Sequence, residues 1–572
     1  MKIVFSRKEL MSFIISIFMT IAFVTYGCQK TFSIMNLGIL FLFYFIIKKY
    51  YFRKIPKSVI VVSIIFSLFF TLGRICYENT SSLNNVFELF FSFNTLVLYI
   101  GMYFFISLVL FLFLTYCKKI DLLGNTNFRS NKRLFLISFI VILLFWFIYF
   151  LNCYPGLIAP DSIYQIKQFK NIAILTDHHP VLHTFFIKFF YTIGSYLSIS
   201  ENFRVSIVTI AQMIIMSAIY SYFIVFLNKH KINKKVIILL ILMFGLMPVY
   251  AFFSLSMWKD VLFGGFFLLF MINIYTLIEK KSKLKLCHYI SFAILSLLIL
   301  FFRNNALYMY FIIIPIFLYY FRKNVIEFII MFSVVIISFY IIKYPVFNYI
   351  GIERSKSWEY LGMPIQQIGR MAYKEVNFTE KETERIEKFI TVDNLKKDYN
   401  PRVSDGIKFS LNLNQEYFQN NNKEFLVLWK DLVIKNFDIA VESYLISTLG
   451  YWYPDLENNA VELGVTKNDI DIYNHSLLPK KISNFINGLY DYDTPILSWQ
   501  WNIGIFIWLV VISALICIHK DRKKFLLCYI PILGLWLTLM LASPVNGMLR
   551  YVFWLYTSLP LLFLINYIKI ED

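Results

Sequence analysis

Eight residues in this chain combine a reactive side chain with a position beside a helix boundary. Asp161 follows Pro160 at the expected start of an amphipathic helix, and Asp260 closes the run Ser256-Met257-Trp258-Lys259-Asp260 between two apolar stretches. Asp177-His178-His179-Pro180 and His183 bring three of the seven histidines within six residues. Arg303-Asn304-Asn305 and Arg550-Tyr551 stand alone at apolar helix ends. A carboxylate can take a hydroxyl proton, imidazoles with a carboxylate can bind a divalent metal or move protons, and a guanidinium can clamp a phosphate bidentately. Plainer readings exist for each. Asp161 would be favoured by the helix dipole whatever its role, Asp177 could cap a helix while the histidines hydrogen-bond locally, Lys259 could neutralise Asp260, and the arginines could snorkel to the interface. Asp260 most needs a reason, because a charge close to the hydrocarbon boundary is costly unless it is paired or used.

The elements that must position these groups are membrane helices. The 572 residues are 59% hydrophobic, 19% aromatic and 16% charged, against about a quarter charged in a soluble domain. Apolar runs such as 135–151, 236–253 and 503–518 come near the roughly 17 to 25 residues that cross hydrocarbon, and lipid forces each to be helical. The net charge of +20, from 55 Lys+Arg and 35 Asp+Glu, gathers in six connectors. These hold Lys48, Lys49, Arg53, Lys54 and Lys57; Lys118, Lys119, Arg129, Lys132 and Arg133; Lys229, Lys231, Lys234 and Lys235; Lys280, Lys281, Lys283 and Lys285; Arg322 and Lys323; and Lys520, Arg522, Lys523 and Lys524. The alternate connectors carry single cations, Lys30, Arg74, Lys259, Arg303 and Arg550. The positive-inside rule then puts the basic set and both termini in the cytoplasm, and cations divided among six membrane-flanking loops speak against a nucleic-acid partner. The scattered cysteines contain no CxxC pair and support neither a zinc site nor a disulfide framework. Lys2, Arg7 and Lys8 precede an apolar run, but Tyr26-Gly27-Cys28-Gln29 is a poor cleavage site, so this run reads as the first membrane helix.

The expected fold is an all-α polytopic membrane protein with about 14 transmembrane helices. They fall near 10–26, 33–47, 58–75, 95–116, 134–152, 204–227, 235–255, 261–278, 287–302, 306–321, 325–343, 501–518, 525–541 and 552–568. Four regions result: an N-terminal four-helix extension (1–133), a membrane core (134–343) with a first outer loop at 153–203, an extracytoplasmic, mainly helical region (344–500), and a C-terminal three-helix segment (501–572). In the first outer loop Ile163, Ile166 and Phe169 recur opposite Gln165, Lys167, Gln168 and Lys170, the pattern of an interfacial amphipathic helix. The 181–197 segment reads as juxtamembrane or re-entrant, since a crossing there would put Lys229 to Lys235 outside. In the large outer region 364–374, 379–390 and 425–449 read as helices, the last leading to Gly450-Tyr451-Trp452-Tyr453-Pro454, an aromatic cluster suited to the membrane interface or a sugar face.

The order of these motifs resembles the GT-C superfamily of membrane glycosyltransferases, in particular bacterial members of unassigned substrate. The likeness runs through Tyr154-Pro155-Gly156 to Pro160-Asp161-Ser162, Asp177 to His183, Trp258-Lys259-Asp260, Pro364-Ile365-Gln366-Gln367-Ile368, Gly450 to Pro454 and Arg550-Tyr551, covering roughly residues 134 to 568. It implies a GT-C-like core and transfer of a sugar from a polyprenyl-phosphate donor to a cell-envelope glycan, lipid or protein at the outer face of the plasma membrane, with inversion. Asp161 and Asp260 match the catalytic acidic positions. His178, His179, His183, Lys259, Arg303, Asn304, Gln366, Gln367, Tyr451, Trp452, Arg550 and Tyr551 would bind substrate, and Asp177, His179 and Asp260 could hold a divalent cation, Mg or Mn. The chain departs from several relatives in having Ser162 after Asp161 and in lacking a WWD-type motif. The competing reading is a transporter or flippase of a lipid-linked sugar, for which Pro248 and Gly264-Gly265 are the candidate helix breaks. A structural subunit or a polymerase of surface polysaccharide is a third.

Overall fold

A computed structural model of the protein describes residues 6–26, 34–50, 54–124, 128, 130–197, 200–281, 283–354, 361–456, 463–490, 494, 497–542 and 545–569. Lys30, Arg53 and Arg129 of the charge pattern lie outside these. The described chain is all-helical, and its only β-type pairings are isolated bridges such as Leu157 with Ser256. Among the described residues eight helices are long and apolar enough to cross a membrane, including Asn131–Asn152, Glu201–Lys229 and Lys259–Glu279, and the pair Lys234–Leu246 and Pro248–Leu255 makes a ninth if counted as one span. Leu286–Phe302, Ala306–Tyr320, Ile503–His519 and Leu549–Leu564 are shorter apolar helices. Apolar side chains cover these helices on all sides, so each must face lipid or a neighbour, and backbone polar groups close within the helix.

Lys259–Glu279 and Glu201–Lys229 are the most enclosed of the candidate spans. The first packs against Leu286–Phe302 and Phe553–Leu564, the second against Asn131–Asn152 and Val181–Leu197. One continuous apolar core joins them. Gly264 and Gly265 serve that packing, since a Cβ on Gly264 would press on Phe553 and one on Gly265 on Met216 and Ile219.

Three expectations need correction. The 235–255 stretch is not one straight helix but bends by 50° at Pro248, because proline has no N–H to give to the preceding turn; the next free donor, Val249 N–H, reaches Gln500 Oε1 at 3.0 Å. The 425–449 helix is broken at Asn436 into Asn422–Lys435 and Phe437–Thr448. The amphipathic helix Pro160–Phe169 does not lie with a wet polar face, for Gln165 and Gln168 are buried along with Ile163 and Ile166.

A second, separate core runs from Leu361 to Ala440. Its helices follow ordinary capping chemistry: Thr379 and Glu382 form a reciprocal capping box, and Thr391 and Asn414 cap the helices that follow them. This helical domain is fastened to the loop after Lys57–Glu78 by Arg370, fully buried, which holds Glu442 (Nε to Oε1, 2.9 Å) and the Thr80 carbonyl (2.8 Å). Lys374 binds the other Glu442 oxygen at 2.7 Å.

Candidate functional site

The two aspartates are brought together by backbone. Gly156 takes φ +141°, and a Cβ there would collide with the Thr209 hydroxyl, so only glycine lets the chain pass. Beyond it, Leu157 N–H donates to the Leu255 carbonyl (3.0 Å) and Met257 N–H to the Leu157 carbonyl (2.9 Å). The Gln212 amide donates to the carbonyls of Ser254 and Ser256 at 2.9 and 2.8 Å, and the Ser162 hydroxyl to that of Met257. The helices Pro160–Phe169 and Lys259–Glu279 therefore begin side by side, each with an aspartate in its first turn where the helix dipole favours negative charge.

Each aspartate meets an arginine from far along the chain. Arg550 binds Asp161 at 2.7 Å, and Arg303 binds Asp260 at 3.2 Å. Tyr551 links the two pairs: its carbonyl accepts from Arg303 (2.8 Å) and its hydroxyl from Arg550 (3.3 Å). The Arg550 guanidinium also lies over the Trp258 ring, 5.3 Å from its centroid. Lys259 is not the ion-pair partner of Asp260. Among the described residues its ammonium makes no hydrogen bond or ion pair, although it is close enough to feel Asp260, Asp161, Arg550 and Arg303 electrostatically. Asp260 Oδ2 and Trp258 Nε1 are buried without a partner in the same place. Three cations thus face two carboxylates. Burial pushes the Asp161 carboxyl up, but Arg550 and Lys259 outweigh it and hold the group well below the usual carboxylate range.

The histidine cluster is divided. His178 is exposed and His179 and His183 are buried. His183 Nδ1 lies 3.0 Å from Gln165 Oε1, so Nδ1 carries the proton and Nε2 is left as an unpartnered acceptor. The Gln165 amide is fixed in turn by the Thr184 hydroxyl at 2.8 Å. Burial, with the Lys259 charge nearby, pushes the His183 imidazole down to about 3 and His179 in the same direction, so both are neutral. Asp177, His179 and Asp260 are not drawn into one ligand set. Among the described residues no three His, Cys, Asp or Glu side chains gather around one point. Asp260 is engaged by Arg303, and a divalent cation would add to an existing excess of positive charge.

A cavity of about 500 Å³ opens beside the ion pairs. His178, Lys259, Asp260, Arg303, Asn304, Asn305 and Tyr551 line its polar end, with Asn305 fixed by Arg303 (2.8 Å) and Thr538 (3.0 Å). Its remaining wall is apolar, formed by Tyr308, Ile312, Leu537, Leu539 and Leu541 of the helices Ala306–Tyr320 and Ile530–Ala542. Tyr308, Leu537 and Leu541 are exposed, so the cavity opens on the apolar flank of the bundle. Asp161 and Arg550 do not line it: Arg550 is joined to its wall by the Tyr551 hydroxyl, and Asp161 lies behind Arg550, within electrostatic reach of Lys259. Nothing in the sequence marks the apolar wall or Thr538, because a leucine facing a cavity reads the same as one facing lipid.

Four expected substrate contacts lie elsewhere. Gln366 and Gln367 are buried in the helical domain, where their amides donate to the carbonyls of Asn400 and Ala440. Tyr451 and Trp452 are also buried and offer no sugar face: the Tyr451 hydroxyl donates to the Val545 carbonyl at 2.9 Å, and Trp452 packs on Phe69 and accepts from Trp508 at 2.8 Å. This aromatic run is a joint between helices, tight enough that a Cβ on Gly73 would meet the Tyr453 ring.

Among known proteins, a family model matches residues 170–570, a stretch that includes His178, Asp260, Arg303 and Arg550 and begins after Asp161. No curated protein and no solved structure matches the chain. By that match over more than half its length, the chain belongs to a family of unknown function (DUF6020).

Proposed function

We propose that the protein is a membrane glycosyltransferase of the GT-C kind, which moves a sugar from a polyprenyl-phosphate donor to a cell-envelope acceptor. The observation that carries this reading is the cavity, with an excess of positive charge at its polar end and an apolar wall open to the flank of the bundle. An anionic head on a long apolar chain is the ligand that satisfies both ends at once. In this reading the long apolar helices, the bent pair, the shorter helices and Ile34–Tyr50 supply about 14 crossings of the plasma membrane. The basic connectors and both termini are cytoplasmic, and the cavity faces the other side.

The Lys259 ammonium and the Arg303 guanidinium receive the phosphate. As the acceptor oxygen bonds to the anomeric carbon, the bond from that carbon to the phosphate oxygen breaks, and its electron pair leaves with the polyprenyl phosphate. The hydroxyl proton goes to a carboxylate, assigned to Asp161, and the cations stabilise the charge gathering on the leaving group. No step requires a metal. A transporter would use Gly264, Gly265 and Pro248 as moving breaks, whereas both glycines are closed by helix packing and Gln500 seals the Pro248 bend.

The test is sugar transfer by the purified protein in lipid nanodiscs with candidate polyprenyl-phosphate sugars, beside Asp161→Asn and Arg303→Gln. Transfer by wild type and its loss in both variants support the reading. Undiminished transfer in Asp161→Asn removes the base assignment, and substrate movement across vesicles without transfer selects the transporter.

A further inference from the structure

A second, larger cleft of about 900 Å³ lies on another flank of the bundle, between the helices Asn131–Asn152, Glu201–Lys229, Lys259–Glu279 and Leu286–Phe302. Two of these helices present the same order of chemistry along it. From the start of Leu286–Phe302 come His288, Ser291, Ile294 and Leu295; from the end of Lys259–Glu279 come Thr276, Asn273, Leu269 and Phe266. At 1.5 Å per residue, His288 to Leu295 spans about 10 Å. The mouth at the His288 end is basic on both sides. Exposed Lys283 and Lys285 stand on one, and exposed Lys132 and Arg133 precede Phe135, which lines the cleft, on the other.

Two polar groups at the intermediate level, His288 and Ser291, are set to donate, while the Thr276 hydroxyl gives its proton to the Ile272 carbonyl (2.8 Å) and Asn273 Oδ1 is a buried acceptor. His288 Nδ1 accepts from the Lys285 N–H (2.9 Å), which leaves the proton on Nε2. The Ser291 hydroxyl accepts from the Asn273 amide at 2.8 Å and keeps its own proton to give. Cations, then hydroxyl and imidazole donors, then an apolar wall match in sequence the phosphate, ester carbonyls and acyl chains of one amphiphile. We infer that this cleft is a binding site for an anionic phospholipid, seated at the basic end of the bundle and separate from the cavity beside Arg303. A helix of another protein would match the apolar wall but leave the cations and donors unanswered.

The test is native mass spectrometry of the full chain in mild detergent, after delipidation and addition of phosphatidylglycerol or phosphatidylcholine with the same acyl chains. Retention of phosphatidylglycerol is expected to exceed that of phosphatidylcholine by about tenfold or more, since each cation near an anionic head contributes about fivefold. Lys283→Gln with Lys285→Gln, at exposed positions that leave the fold intact, should cut the preference by about fivefold or more, leaving the part due to Lys132 and Arg133, and Ala218→Trp, which fills the cleft, should reduce retention of both lipids. Equal retention of the two lipids by wild type overturns the inference, as does a preference that the lysine changes leave undiminished. So does a wild-type dimer without lipid that Ala218→Trp dissociates, which would assign the cleft to a second copy of the chain.

Discussion

Asp161 and Arg550 are 389 positions apart in the chain and 2.7 Å apart in the fold. The pair joins the first turn of a short helix to the last polar segment before the C-terminal apolar helix, so the carboxylate acquires its environment only when nearly the whole chain is assembled. Arg550 also keeps that carboxylate ionised and weakly basic. For Asp161 to take a proton, the guanidinium must turn toward another anion, and an arriving phosphate is the group that would draw it.

Asp161→Asn removes one negative charge from a cluster that already holds three cations. Binding of a polyprenyl phosphate is expected to tighten, while sugar transfer falls by about 100-fold or more. Ligand titration followed by native mass spectrometry and a radiolabelled transfer assay read the two effects separately.

Arg303→Met strands the Asp260 carboxylate in a buried site, where both side chains of the pair are under a tenth exposed. The single change should cost about 3 to 5 kcal/mol, and adding Asp260→Leu should recover most of it. Thermal unfolding in detergent of the two single variants and the double variant checks this, since simple additivity would refute the pairing.

Acid should weaken the fold through His183. Its imidazole sits at about 3 in the fold against 6.5 when free, so below 6.5 the unfolded chain binds a proton that the folded chain refuses. The stability that the neutral form provides is complete above pH 6.5 and lost as pH falls toward 3. His183→Gln, which keeps a hydrogen-bonding side chain without that proton, should flatten the decline between pH 6.5 and 4 in thermal unfolding.

Glu442→Gln should loosen the helical domain from the membrane helices, because Arg370 and Lys374 would lose their carboxylate in a buried setting. Limited proteolysis should cut within 361–456 faster than in wild type, while the apolar helices stay protected. Unchanged cleavage would mean that the Arg370 hydrogen bonds to the carbonyls of Thr80 (2.8 Å) and Ser82 (3.2 Å) suffice.

Hydropathy alone locates the apolar helices, because lipid leaves a long apolar run no other structure. It offers Pro248 only as a candidate break and does not decide the bend there, since a proline is compatible with either a kink or a new helix start. Asp161, Asp260, Arg303 and Arg550 are legible as candidates because isolated charges beside apolar runs demand partners. Which arginine takes which aspartate is not legible, and adjacency in sequence suggests Lys259 for Asp260, although its helix carries Lys259 toward the cavity. That Gln366, Gln367, Tyr451 and Trp452 lie buried away from the cavity is not legible for a general reason: glutamine amides and aromatic rings suit a sugar surface and a buried joint equally well, and only burial separates the two.

Asn546 accepts from the Gly450 N–H, donates its amide to the Ile446 carbonyl at 2.6 Å and gives its own N–H to the Arg402 carbonyl at 2.7 Å. Four residues later the chain reaches Arg550. The guanidinium that governs Asp161 is therefore tethered through the Arg402 carbonyl to the helical domain by a short leash, and a tilt of that domain would reach the carboxylate as a change in distance to its counter-charge. A macromolecule that grips the domain would hold a lever on a carboxylate it never touches.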